Sequence, residues 1–140
     1  VRQVADESLR LYPPVWGIDR AAIEDDVIGG FHVPKGSIVV MPQYLTHRHP
    51  EFWHEPNRFD PDRFTPEAAA KRPKHAFFPF GGGPRQCIGQ AFATMETTFI
   101  VAWLAQAFRF QLEPGHRVEL EPGITLRPKH GMRMRVLPRD

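Results

Sequence analysis

Apolar residues recur at three and four residue spacing from the start of the chain. Val1, Val4, Ala5 and Leu9, with Ser8 among them, share one helical face, and Pro13-Pro14 ends the run. No capping residue precedes Val1, so the helix is expected to begin upstream. Val15 to Arg20 reads as a short extended segment. Val27 to Met41 predicts a β-hairpin with its turn at Val33-Pro34-Lys35-Gly36 and a buried strand at Ile38-Val39-Val40. From Thr46 to Lys74 the periodicity is lost, yet Phe52, Trp53, Phe59 and Phe64 stand among prolines and charges. A disordered linker would not carry so many aromatics, so this stretch is expected to be a folded meander. Gly81-Gly82-Gly83 then precedes the longest predicted helix, in which Ile88, Phe92, Met95, Phe99, Ala102 and Trp103 form an apolar stripe that ends near Ala107. Phe108, Phe110 and Leu112 switch to alternation. Pro114-Gly115 and Pro122-Gly123 punctuate short strands paired as hairpins.

No repeat or low-complexity tract divides these elements, and the pattern predicts one α+β unit over residues 1–140. Among the 140 residues 41% are hydrophobic and 24% charged, ordinary proportions for a globular core. Net charge is only +2 with the basic residues dispersed, which argues against nucleic acid as a partner. No apolar run approaches the roughly 20 residues that span a bilayer. The single cysteine excludes an internal disulfide framework and favours a cytoplasmic location over secretion.

That cysteine lies in Phe80-Gly81-Gly82-Gly83-Pro84-Arg85-Gln86-Cys87-Ile88-Gly89, where a glycine-rich loop enters the long helix. The positive end of the helix dipole and its unpaired N–H groups favour thiolate over thiol, and thiolate is the form that ligates iron. Glycines let the backbone take left-handed conformations and approach a flat macrocycle. Arg85 offers a planar donor fork to a carboxylate. Phe80 could cover the sulfur and exclude water. The alternative is a buried structural cysteine beside a phosphate-type loop.

The segment resembles the cysteine-ligand loop of the cytochrome P-450 superfamily, with Phe80, Gly81, Gly83, Arg85, Cys87 and Gly89 at the expected positions. Glu7 and Arg10, followed by Leu11-Tyr12-Pro13-Pro14, are similar to that family's Glu-x-x-Arg motif, and Pro61-Asp62-Arg63-Phe64 to its Pro-x-Arg-Phe motif. The resemblance implies the carboxy-terminal part of the cytochrome P-450 fold, a partial domain. It implies haem b held by Cys87 as axial iron ligand, with Ile88 beside it, a propionate contact from Arg20 as well as Arg85, and a buried triad of Glu7, Arg10 and Arg63. Val15, Trp16 and Gly17 lie where family members line the substrate pocket, as do Gly123, Ile124 and Thr125 at a hairpin tip.

The implied activity is a monooxygenase that inserts one oxygen atom from O2 into a small, apolar organic substrate. Electrons would come from a ferredoxin or flavin reductase, and an acid and alcohol pair on an upstream helix would deliver protons. An amino-terminal half, with any membrane anchor, is therefore expected before Val1. Arg72, Lys74 and Arg85 could form a basic face for the electron donor, although solvated surface charge is the simpler reading. Two further readings stay open. One is a haem-binding or structural remnant without turnover. The other is a metal module built on His47, His49 and His54.

Overall fold

Helix α1 (Arg2–Leu11) buries a face that its apolar spacing does not predict. In the computed structural model, which describes residues 1–139, Ala5, Glu7, Arg10 and Leu11 are buried while Val1 and Val4 are exposed. The reason is electrostatic. Glu7 and Arg10 neutralise each other through a two-pronged contact, which allows both charges to leave water together. A reading based on hydrophobicity alone cannot find a face whose central residues are charged.

Two small antiparallel sheets follow. Strand β1 (Ile18–Ala21) pairs with β4 (Ile38–Met41), Ile18 opposite Met41, and between them β2 (Asp26–Ile28) pairs with β3 (Phe31–Val33). The expected hairpin over Val27–Met41 is thus corrected. Its reversal is at Gly29-Gly30, where φ is +59° and +86°, values that suit a tight hairpin turn and that glycine adopts without strain. Val33 to Gly36 instead hands the chain on to β4, which reaches back to β1. The expected burial of Ile38 to Val40 is corrected too, since Ile38 and Val40 are exposed on a two-stranded sheet.

The meander is folded, as its aromatics require. After the short helix α2 (Gln43–Thr46), a 3₁₀ turn spans Pro61–Phe64 and helix α3 spans Pro66–Lys71. Asp60 caps the turn through the Asp62 N–H, and Thr65 caps α3 through the Ala68 N–H. Trp53 is buried against Phe64 and Phe77, and the guanidiniums of Arg10 and Arg72 lie 4.9 and 4.7 Å from its ring centroid. The interior therefore sits between α1 and the meander, and much of it is polar: Glu7, Arg10, Gln43 and His47 are all fully buried.

Helix α4 (Gln90–Ala107) occupies the predicted span, and its stripe residues Phe92, Met95, Phe99 and Trp103 all face solvent among the described residues. Strand β5 (Phe108–Leu112) pairs with β8 (Met134–Pro138), and β6 (Leu120–Pro122) with β7 (Leu126–Pro128) as a hairpin. No helix is long and apolar enough to cross a membrane among the described residues.

Candidate functional site

The loop before α4 is shaped by its own backbone. Gly81 and Gly83 take φ of +73° and +68°, the left-handed region where a side chain would be strained. Gly83–Arg85 forms a 3₁₀ turn, and the Cys87 N–H closes the loop on the Phe80 carbonyl at 2.9 Å. Cys87 precedes Gly89, the residue that caps α4, and its carbonyl accepts the first N–H of the helix from Gln90 at 3.3 Å. Its thiol is exposed. A Cβ at Gly89 would stand 3.8 Å from Sγ.

Cys87 opens into a cleft of about 410 Å³. Phe80, Gly81 and Arg85 line it from the loop, Val15 and Arg20 from the segment after α1. Five residues expected to share a site with the cysteine therefore do so. Other expected site residues lie elsewhere: Gly83 shapes the turn, Ile88 is fully exposed, and Trp16, Ile124 and Thr125 are outside the lining. Sequence reasoning missed Leu9, Pro14, Ile18, Gln43, Pro79, Ala93 and Thr97, which complete the walls. Ala93 and Thr97 carried no distinguishing signal, because Ala91, Thr94, Thr98, Ala102 and Ala105 are small residues of the same helix. Gln43 carried none either.

Gln43 and His47 tie this loop to the interior. The Gln43 Nε2 donates to the Phe78 carbonyl at 2.6 Å, and His47 Nε2 accepts the Phe78 N–H at 3.0 Å, so two side chains engage both backbone groups of one residue. Phe78 in turn accepts the Gly81 N–H at 2.9 Å. To accept at Nε2 the imidazole must be neutral. Burial, and then the positive Arg10, push it down to about 4. With His47 turned inward and His49 and His54 exposed, the three histidines do not converge. No group of three metal-ligating side chains exists among the described residues, which removes the metal-module reading.

Arg10 anchors the same region. Its Nε and Nη2 donate to Glu7 at 2.6 and 2.8 Å, and further bonds reach the carbonyls of His47, Pro56 and Arg58. Glu7 also accepts the Asp60 N–H at 2.8 Å. Arg63 joins less closely than expected. Its Nε is 3.6 Å from Glu7 without a hydrogen bond, and its Nη2 donates to the Glu55 carbonyl at 3.0 Å. Arg72 donates to the Arg63 carbonyl and stacks on Phe64 at 4.3 Å, so its guanidinium is engaged within the meander rather than held out for a partner. Among the described residues Arg20 bonds only its neighbour's carbonyl, at 2.6 Å, which leaves donors for a ligand.

A model of the cytochrome P450 family matches residues 1–133. The chain belongs to the cytochrome P450 family. Cytochrome P450 132 of Mycobacterium tuberculosis is 48% identical over 126 residues, 90% of this chain and 27% of that protein. The cytokinin hydroxylase of Arabidopsis thaliana is 40% identical, across 100% of this chain and 27% of its own length. The retinoic acid-bound cyanobacterial CYP120A1 superposes with a TM-score of 0.92 at 41% identity, over 98% of this chain and 32% of that one. The α+β elements are thus part of the P450 fold, and the chain spans under a third of the length of each of these P450s. P450 membership implies haem as cofactor, and organic substrates and redox partners as the family's general inputs.

Proposed function

We propose that this chain supplies the haem wall of a haem-thiolate monooxygenase, with the Cys87 Sγ as axial iron ligand. The observation that carries the reading is the cleft, whose walls include the chain's sole cysteine, the apolar side chains of Phe80, Ile18 and Val15, and two arginines. The donor set fits iron protoporphyrin IX. A soft thiolate suits the iron, Ile18, Val15 and Leu9 suit the ring, and Arg20 and Arg85 suit the two propionates. Gly81, in the cleft wall, would present no Cβ to a bound ring. When bound, the haem supplies the chemistry of inserting one oxygen atom from O2 into a C–H bond.

This chain's residues then have defined tasks. Cys87 would hold the iron through its Sγ, with its backbone anchored by the bond from its own N–H to the Phe80 carbonyl. Arg20 and Arg85 would neutralise the propionates. Gln43, His47 and the Glu7–Arg10 pair hold Phe78, and through it the start of the loop, against the interior. The apolar lining favours a small apolar substrate, and electrons come from a ferredoxin or flavin reductase. Haem binding without turnover is the second reading, favoured by the exposure of Cys87. The test is to load haem, reduce the protein under carbon monoxide and record the Soret band. A red-shifted thiolate band with oxidation of an apolar substrate supports the monooxygenase. The band without oxidation supports the second reading, and no band refutes both.

A further inference from the structure

Strand pairing gathers basic residues that are dispersed along the sequence. In the β5–β8 ribbon Arg109 stands opposite Leu137 and Gln111 opposite Arg135. Backbone bonds from the Glu113 N–H to the Arg133 carbonyl and from the Arg139 N–H to the Ala107 carbonyl carry the same register past both ends. Residues paired in this way, and those two apart on one strand, share a face. That face therefore presents Arg133, Arg135, Arg109 and Arg139 at four successive levels, about 7 Å apart. Phe110, Leu112, Met134 and Val136 form the opposite, apolar face, so the arginine face is the one that an antiparallel sheet turns to water. Against four arginines it carries one acid, Glu113, an excess of three positive charges on a chain whose net charge is +2. At the Arg133 end the row opens into a cleft of about 430 Å³ that Arg117, His116 and His130 also line, with Glu113 the acid among them, so donor groups continue past the strands.

Exposed arginines elsewhere are matched by carboxylates, Arg2 by Asp6, Arg58 by Glu55, Arg117 by Glu119 and Arg127 by Glu121, whereas the four of this row have no such partner among the described residues. Like charges at neighbouring positions of a sheet destabilise it, so the row is a cost to the fold that a partner of opposite charge removes. Arginine at all four levels, with no lysine, suits planar, two-pronged recognition of carboxylates. No aromatic side chain stands on this face to stack a base, and Leu137 is its single large apolar residue, too little to seat in a bilayer. The row begins where α4 ends, so an 18-residue helix, about 27 Å long, separates it from the Cys87 loop. We infer that this face docks an acidic protein segment in extended conformation, whose alternate carboxylates, also about 7 Å apart, meet one guanidinium at each level. The docking is independent of what occupies the Cys87 cleft.

The test measures fluorescence anisotropy with the full enzyme containing this chain. Two labelled octapeptides of equal composition serve as probes, one with glutamate and serine alternating and one with the glutamates in a block. The alternating peptide binds more tightly, and added salt weakens its binding. Arg109→Gln and Arg135→Gln each raise its dissociation constant about fivefold, the ratio for an exposed charge pair of about 1 kcal/mol, and the double variant multiplies the two losses. Arg135→Lys, which keeps the charge and loses the fork, recovers part of the affinity. Arg127→Gln, outside the face, leaves it unchanged. Arg109 and Arg135 are exposed, and removing like charge from the row leaves the thermal midpoint at or above that of wild type. Equal affinity for the two peptides, or wild-type affinity in the double variant, overturns the proposal. So does tighter binding to phosphatidylserine–phosphatidylcholine vesicles or to oligo-dT that the double variant abolishes, since the face then serves a lipid or a nucleic acid.

Discussion

Replacing Arg10 with methionine separates a buried structural ion pair from ordinary surface charge. Arg10 makes two hydrogen bonds to the Glu7 carboxylate and one to each of the His47, Pro56 and Arg58 carbonyls. With methionine in its place, Glu7 remains fully buried with the Asp60 N–H at 2.8 Å and Arg63 no nearer than 3.6 Å. Stranding one member of a buried pair costs about 3 to 5 kcal/mol, against a total domain stability of about 5 to 15 kcal/mol. Arg63→Met loses much less: an ion pair with no hydrogen bond and one bond to the Glu55 carbonyl, about 1 to 2 kcal/mol together. Urea unfolding of the haem-loaded enzyme should therefore place Arg10→Met about 1 to 4 kcal/mol below Arg63→Met, with similar m-values. Adding Glu7→Gln to Arg10→Met should recover part of the loss, because the stranded charge is gone. Equal midpoints for the two arginine variants, or a larger loss in Arg63→Met, would refute the reasoning.

Three further outcomes follow from the same geometry. His47 is held at about 4 in the folded chain against 6.5 unfolded, so its contribution is fully present above pH 6.5 and is lost as pH falls through 4, by about 3 kcal/mol in all. Urea midpoints at pH 7 and pH 4.5 should differ less in His47→Gln than in wild type, and an identical pH dependence would count against it. Arg85→Leu should raise the dissociation constant for haem about tenfold by removing a charge-assisted propionate contact, with equal haem affinity as the opposing result. The 140-residue chain alone should self-associate in sedimentation experiments, because Phe92, Met95, Phe99 and Trp103 expose one apolar helix face. A monomer over the whole concentration range would contradict that.

The cysteine loop was legible in the sequence because its chemistry is local. Glycines with positive φ, an arginine and a thiol before a helix are read from ten adjacent residues. The α4 span was equally legible, its end marked by the change from helical to alternating spacing at Phe108. What escaped depends on distance. The burial of Glu7 and Arg10 was implied by the family resemblance but hidden from the apolar spacing of α1, because the two charges enter the interior only with partners from residues 47 to 60. The hairpin was assigned to the wrong turn because Gly29-Gly30 and Val33 to Gly36 both carry turn signals, and only the pairing of β4 with β1 decides between them. Gln43 and His47 engage Phe78 from more than thirty residues away, and no periodicity announces a side chain that bonds a backbone so remote.

The central claim is that Cys87 ligates haem iron, and the most direct measurement is the reduced carbon monoxide spectrum of Cys87→Ser beside wild type. The chain has no second thiol, and a serine hydroxyl is a far poorer donor at neutral pH. The account predicts a red-shifted Soret band in the wild-type protein and its complete loss in the variant. Retention of that band in Cys87→Ser, or its absence from wild type with haem bound, would contradict the account.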